Sequence, residues 1–142
     1  MRAIGAIIIV LALVIGIVPQ FTDCLSQGGA IELPSRATIP MRCHWTRQAE
    51  AAVALPLGVV GVVMIASRRR HTRRALSVIT MALGLAAVLL PTYLIGVCAS
   101  EEMICAMVMK PTLLLAGILT MAVGLVGLIY LRDDGAPDES AL

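Results

Sequence analysis

The chain has 142 residues, of which 59% are hydrophobic and only 14% charged, whereas a soluble domain of this size carries about a quarter charged residues. That balance excludes a water-soluble globular domain. The net charge of +2 points to no particular partner, because the basic residues crowd into one short segment.

Four apolar runs organise the chain, at residues 3–18, 49–66, 75–97 and 111–131. As helices they measure about 24, 27, 34 and 31 Å against a hydrocarbon core of about 30 Å. The first run is short, so its helix is expected to continue through Pro19 to about Thr22. It has the Arg near its start and the apolar centre of a signal peptide. The following "PQFTDC" lacks a small-x-small cleavage site, so the run reads as a retained helix. A loop over 19–48 follows, carrying Cys24 and Cys43. It ends in "MRCHWT" (41–46), the one stretch whose residue types suggest chemistry rather than lipid.

The second run opens with Thr46 as a candidate helix cap and Glu50 as a charge complementing the helix N-terminus. Beyond that mouth none of the four runs holds an Asp, Glu, Lys, Arg or His. Ion- and proton-coupled carriers keep ionisable groups inside the membrane, so this pattern argues against that class. Pro56 and Pro91, inside the second and third runs, each remove a backbone donor and predict kinks. Gly58 and Gly61, and likewise Gly124 and Gly127 in the fourth run, are candidates for close helix packing.

The short loop "SRRRHTRR" (67–74) holds Arg68, Arg69, Arg70, Arg73 and Arg74, five of the eleven basic residues. The positive-inside rule puts this loop in the cytoplasm, with both termini. Loops 19–48 and 98–110 then face the exterior. The four aromatics, Phe21, Trp45, Tyr93 and Tyr130, all fall near expected helix ends, as an interfacial belt requires. Topology and anionic lipid account for the arginines, so nucleic-acid binding gains no support. The tail over 132–142 is short, acidic and expected to lie in the cytoplasm.

This topology puts all four cysteines, Cys24, Cys43, Cys98 and Cys105, on the exterior side, two per loop. An even count in an oxidising compartment predicts disulfides. Loop closure favours Cys24–Cys43 and Cys98–Cys105, and crossed pairing stays open. A weak repeat links the two halves: "VPQF" (18–21) parallels "LPTY" (90–93), and "GVVGVVMI" (58–65) parallels "GLVGLIYL" (124–131). The chain therefore reads as an all-α membrane protein, one domain of four helices (about 3–22, 49–66, 75–97 and 111–131) in two tandem hairpins.

At Met41, Cys43, His44, Trp45 and Thr46, continuing into Gln48, Ala49 and Glu50, the chain resembles a small bacterial membrane family known only as a domain of unknown function. The second loop, "CASEEMICAMVMKPTL", fits the same pattern, with Lys-Pro-Thr entering the last helix. The resemblance implies a compact multi-pass protein of the bacterial plasma membrane. It also implies an accessory role beside ABC-type export permeases, and it transfers no catalytic residues.

Two chemical alternatives remain. Met41, Cys43, His44, Met103, Cys105, Met107 and Met109 offer soft and borderline donors suited to copper. They lack ligand-type spacing, and paired thiols bind no metal. Thiol–disulfide exchange is the other, but no C-x-x-C is present. The expectation is therefore a non-enzymatic accessory or structural interaction subunit without a cofactor. Its partners would be membrane lipid and either another integral membrane protein or its own copies.

Overall fold

The computed structural model describes residues 2–22, 31–32, 38–39, 42–96 and 105–133. Four helices are long and apolar enough to cross a membrane: α1 (Arg2–Thr22), α2 (Arg42–Ala66), α3 (Arg70–Leu89) and α4 (Lys110–Asp133). A π-helical turn, Leu90–Leu94, prolongs α3, and a second one, Cys105–Met109, leads into α4. Between α1 and α2 the backbone makes one short antiparallel pairing, β1 (Ile31–Glu32) with β2 (Thr38–Ile39). Helices suit such a sequence because each satisfies its own backbone donors and acceptors where lipid offers none.

α1 packs along α2 and α3 along α4, with lesser contact of α1 on α4 and α2 on α3. Small residues set the separations. A Cβ added at Gly61 would lie 3.1 Å from the Gly5 carbonyl oxygen and 3.2 Å from the Ile9 nitrogen. One added at Gly84 would lie 2.9 Å from the Met121 nitrogen and 3.0 Å from the Gly117 carbonyl oxygen. Backbone thus meets backbone in both pairs. This is how membrane helices gain van der Waals contact where burial from water contributes nothing. Gly124 crosses α3 at Ser77, whose carbonyl oxygen would stand 3.0 Å from an added Cβ, and Gly127 faces the Ser77 hydroxyl.

One stripe of each helix faces inward. On α1 it is Gly5, Ile8, Leu11, Ala12, Ile15 and Pro19. On α2 it runs Thr46, Glu50, Ala54, Leu57, Val60, Gly61 and Met64. Ser77, Thr80 and Thr120 are also buried, and each hydroxyl donates to the carbonyl one turn back (Arg73, Leu76 and Ala116, at 3.0, 2.8 and 2.7 Å). These hydroxyls are satisfied within their own helices.

Helix and apolar run part company at three places. α2 begins at Arg42, well ahead of its apolar run, because nothing from Arg42 to Gln48 breaks a helix. The arginine loop shrinks to Ser67–Arg69, since Arg70, Arg73 and Arg74 already lie on the first turns of α3. There Arg73 Nε donates to the Ser67 carbonyl at 2.8 Å, placing a cation at the C-terminal end of α2. The third difference is at Pro91, which has no N–H for the Ala87 carbonyl. The register slips, and the Leu90 carbonyl accepts from both Ile95 (3.0 Å) and Gly96 (3.2 Å). Gly96, at φ +77°, takes the left-handed conformation that ends the segment.

Candidate functional site at one end of the bundle

The chemistry-bearing residues gather where α2 begins and α3 ends. Because α2 starts at Arg42, Thr46 is not its cap. It lies inside the helix, fully buried, and its hydroxyl donates across the bundle to the Gly96 carbonyl at 2.8 Å. Glu50 is correspondingly not a charge in the first turn. It lies one turn beyond Thr46 on the same face, with 0% exposure, and neither carboxyl oxygen has a hydrogen-bond partner. It falls within the apolar span of α2, His44–Ala66, sixteen positions from the far end, or about 24 Å. The absence of ionisable groups from the spans is therefore corrected: a carboxyl is present, six positions or about 9 Å from the near end of the span, and enclosed. The signal was in the sequence, since Thr46, Glu50, Ala54 and Leu57 follow helical spacing. Measuring hydropathy from Ala49 placed Glu50 at a boundary and hid it.

Around this pair, His44 is half-buried with Nδ1 enclosed and without a hydrogen bond, and its ring meets Trp45 edge-on at 6.0 Å. Phe21, Trp45, Tyr93 and Tyr130 are all exposed near helix ends, with Tyr93 at 87%. Met107 and Met109 diverge: Met107 is 67% exposed, while Met109 is fully buried among Ile15, Leu113 and other core residues. Residues two positions apart on a helix point to different faces. Among the described residues no three His, Cys, Asp or Glu side chains stand close enough to hold a metal ion.

Cys24, Cys98, Met41 and Met103 lie outside the described residues, as does the tail from 134 onward. Cys43 and Cys105 are described by backbone alone, at the starts of α2 and of the second π-helical turn. The proposed disulfides therefore lie outside what is described.

A second feature lies on the outer surface between α1 and α2. A groove of about 590 Å³ runs there, floored by Ala12, Gly16, Ala51, Ala54 and Gly58 and rimmed by Leu13, Ile17, Leu55 and Val59. A Cβ on Gly16 would stand 3.2 Å from that of Ala54. Gly58 differs from the packing glycines, since an added Cβ would be 3.9 Å from Ala12, an ordinary contact.

No curated protein and no solved structure matches the chain. One family model does match, over residues 3–130, from the first turn of α1 to the end of the apolar part of α4. With nearly its whole length matched, the chain belongs to the family described as Domain of unknown function (DUF4418).

Proposed function

We propose that this protein is a non-catalytic accessory subunit of a larger bacterial membrane assembly, whose α1–α2 groove receives a transmembrane helix of a partner. The groove is the observation that carries the reading. Its floor follows small-xxx-small spacing on both helices, Ala12 with Gly16 and Ala54 with Gly58. Glycine within a helix costs about 0.5–1 kcal/mol relative to alanine. At Gly58 the intramolecular packing leaves room for a Cβ, so a low floor serves something outside the chain. The resemblance implies an accessory role beside ABC-type export permeases, so such a permease is the first partner to test.

In this reading the chain is two tandem helical hairpins, with both termini and the arginine turn in the cytoplasm and loops 19–48 and 98–110 outside. The arginine-rich turn and the exposed end-of-helix aromatics support that orientation. Disulfides among Cys24, Cys43, Cys98 and Cys105 would then staple the exterior loops. The test is gentle detergent extraction at native abundance. A stoichiometric membrane partner should co-purify, and Gly58→Leu, which fills the groove, should release it while the monomer stays folded. A clean wild-type monomer would sink the proposal. The buried, unbonded Nδ1 of His44 favours a second reading, an exterior copper or thiol-redox site with Cys43. Free thiols together with metal bound stoichiometrically and lost in His44→Ala would establish it instead.

A further inference from the structure

Among the described residues, Glu50 is the one fully buried polar side chain without a hydrogen bond. Thr46, Ser77, Thr80 and Thr120 each donate to a carbonyl, whereas both Glu50 oxygens are enclosed without a donor. Arg47 lies one turn before it on α2 and donates to neither oxygen. An isolated carboxylate in an apolar interior carries a solvation penalty of many kcal/mol, so its charge must be met by something.

The surroundings supply oxygen atoms. Thr46, four residues earlier on the same face, holds its hydroxyl against the Gly96 carbonyl. The register of α1 on α2, with Gly16 beside Ala54, carried one turn further brings Pro19 level with Glu50. Pro19 is buried and has no N–H, so the Ile15 carbonyl loses its usual helical donor. α2 also packs on the π-helical turn Leu90–Leu94. Helices interrupted by proline near an intramembrane carboxyl are among the physical ingredients of small-cation sites.

We propose that Glu50 is the anionic centre of a buried monovalent-cation site, taking H+ or Na+, with the Thr46 hydroxyl and the Gly96 carbonyl as its neighbouring oxygens. Hard oxygen donors suit both ions. The inference does not depend on the partner groove, whose lining includes none of Thr46, Glu50 and Gly96.

A lipid-soluble carbodiimide tests it, because the reagent adds to a carboxyl only in its protonated form and reaches acids within the apolar layer. The full-length protein in detergent would be treated in Na+-free buffer, in NaCl and in KCl of equal ionic strength. Peptide mass spectrometry would then locate the adduct. An adduct at Glu50, lost in Glu50→Gln and slowed by NaCl but not KCl, identifies a Na+ site. An adduct at Glu50 formed equally in all three buffers identifies a proton site. If other carboxyls react while Glu50 stays unmodified in all three, the carboxylate is held by a fixed partner and the proposal is overturned.

Discussion

The Thr46 hydroxyl reaches 2.8 Å to the carbonyl of Gly96, joining residues fifty positions apart and fastening the start of α2 to the turn that ends α3. Both ends of the link are prepared. Thr46 is fully buried, and Gly96 takes φ +77°. Thr46→Val, which keeps the shape and removes the donor, should lower stability in detergent by about 1 kcal/mol, the usual range for an interhelical hydrogen bond within a membrane. Gly96→Ala should cost about 1–2 kcal/mol through the left-handed backbone alone. Thermal unfolding of both variants and of the double variant checks this. Because the two changes loosen one junction, their sum should exceed the effect of the pair. Strict additivity would mean that the bond contributes little.

The glycines separate into two kinds that the same measurement distinguishes. Gly61→Ala and Gly84→Ala push a methyl group to within about 3 Å of facing backbone, which cannot rotate away. Each should destabilise by about 1–3 kcal/mol. Gly58→Ala meets nothing closer than 3.9 Å and removes a helix-interior glycine, so it should be neutral or stabilising by up to about 1 kcal/mol. A Gly58→Ala variant that unfolds as readily as Gly61→Ala would show that the groove floor is internal packing.

Four long helices could be read directly from the sequence, because nothing else buries such apolar runs in lipid. Their ends could not. Hydropathy marks where lipid contact begins, while the helix continues through Arg42–Gln48 until a breaker stops it. Glu50 was misplaced for this reason. Gly61, Gly124 and Gly127 were visible as small residues, but their partners Gly5, Ser77, Gly84 and Gly117 emerge only from which helix lies against which. The methionines have the composition of a soft-metal site, but Met107 and Met109, two positions apart, lie on different faces, one exposed and one buried, as their spacing alone requires.

The cysteines yield to chemistry. Protein purified without reductant should take up no alkylating label at Cys24, Cys43, Cys98 or Cys105 until a reductant is added, as read by intact mass. A ring closed between Cys24 and Cys43 is worth about 3 kcal/mol in the chain-entropy picture, so reduction should also lower the melting temperature. Immediate labelling of all four thiols would remove the disulfides and leave the copper reading in place.

Glu50 also makes a prediction about stability that runs against intuition. A core side chain normally destabilises when changed, by about 2–5 kcal/mol for a large truncation. Met is close to Glu in volume and flexibility but brings no polar atoms into an enclosure where neither carboxyl oxygen accepts a hydrogen bond. Replacing an uncompensated buried charge with a similar apolar shape is neutral or stabilising in well-packed interiors. Glu50→Met should therefore unfold at or above the wild-type temperature in Na+-free detergent. If Na+ is the ligand, added NaCl should raise the melting temperature of the wild type and leave Glu50→Met unchanged, because an ion that binds only the folded form stabilises it by mass action. A Glu50→Met protein that melts several degrees lower in every buffer would mean that the carboxyl is held by contacts of its own.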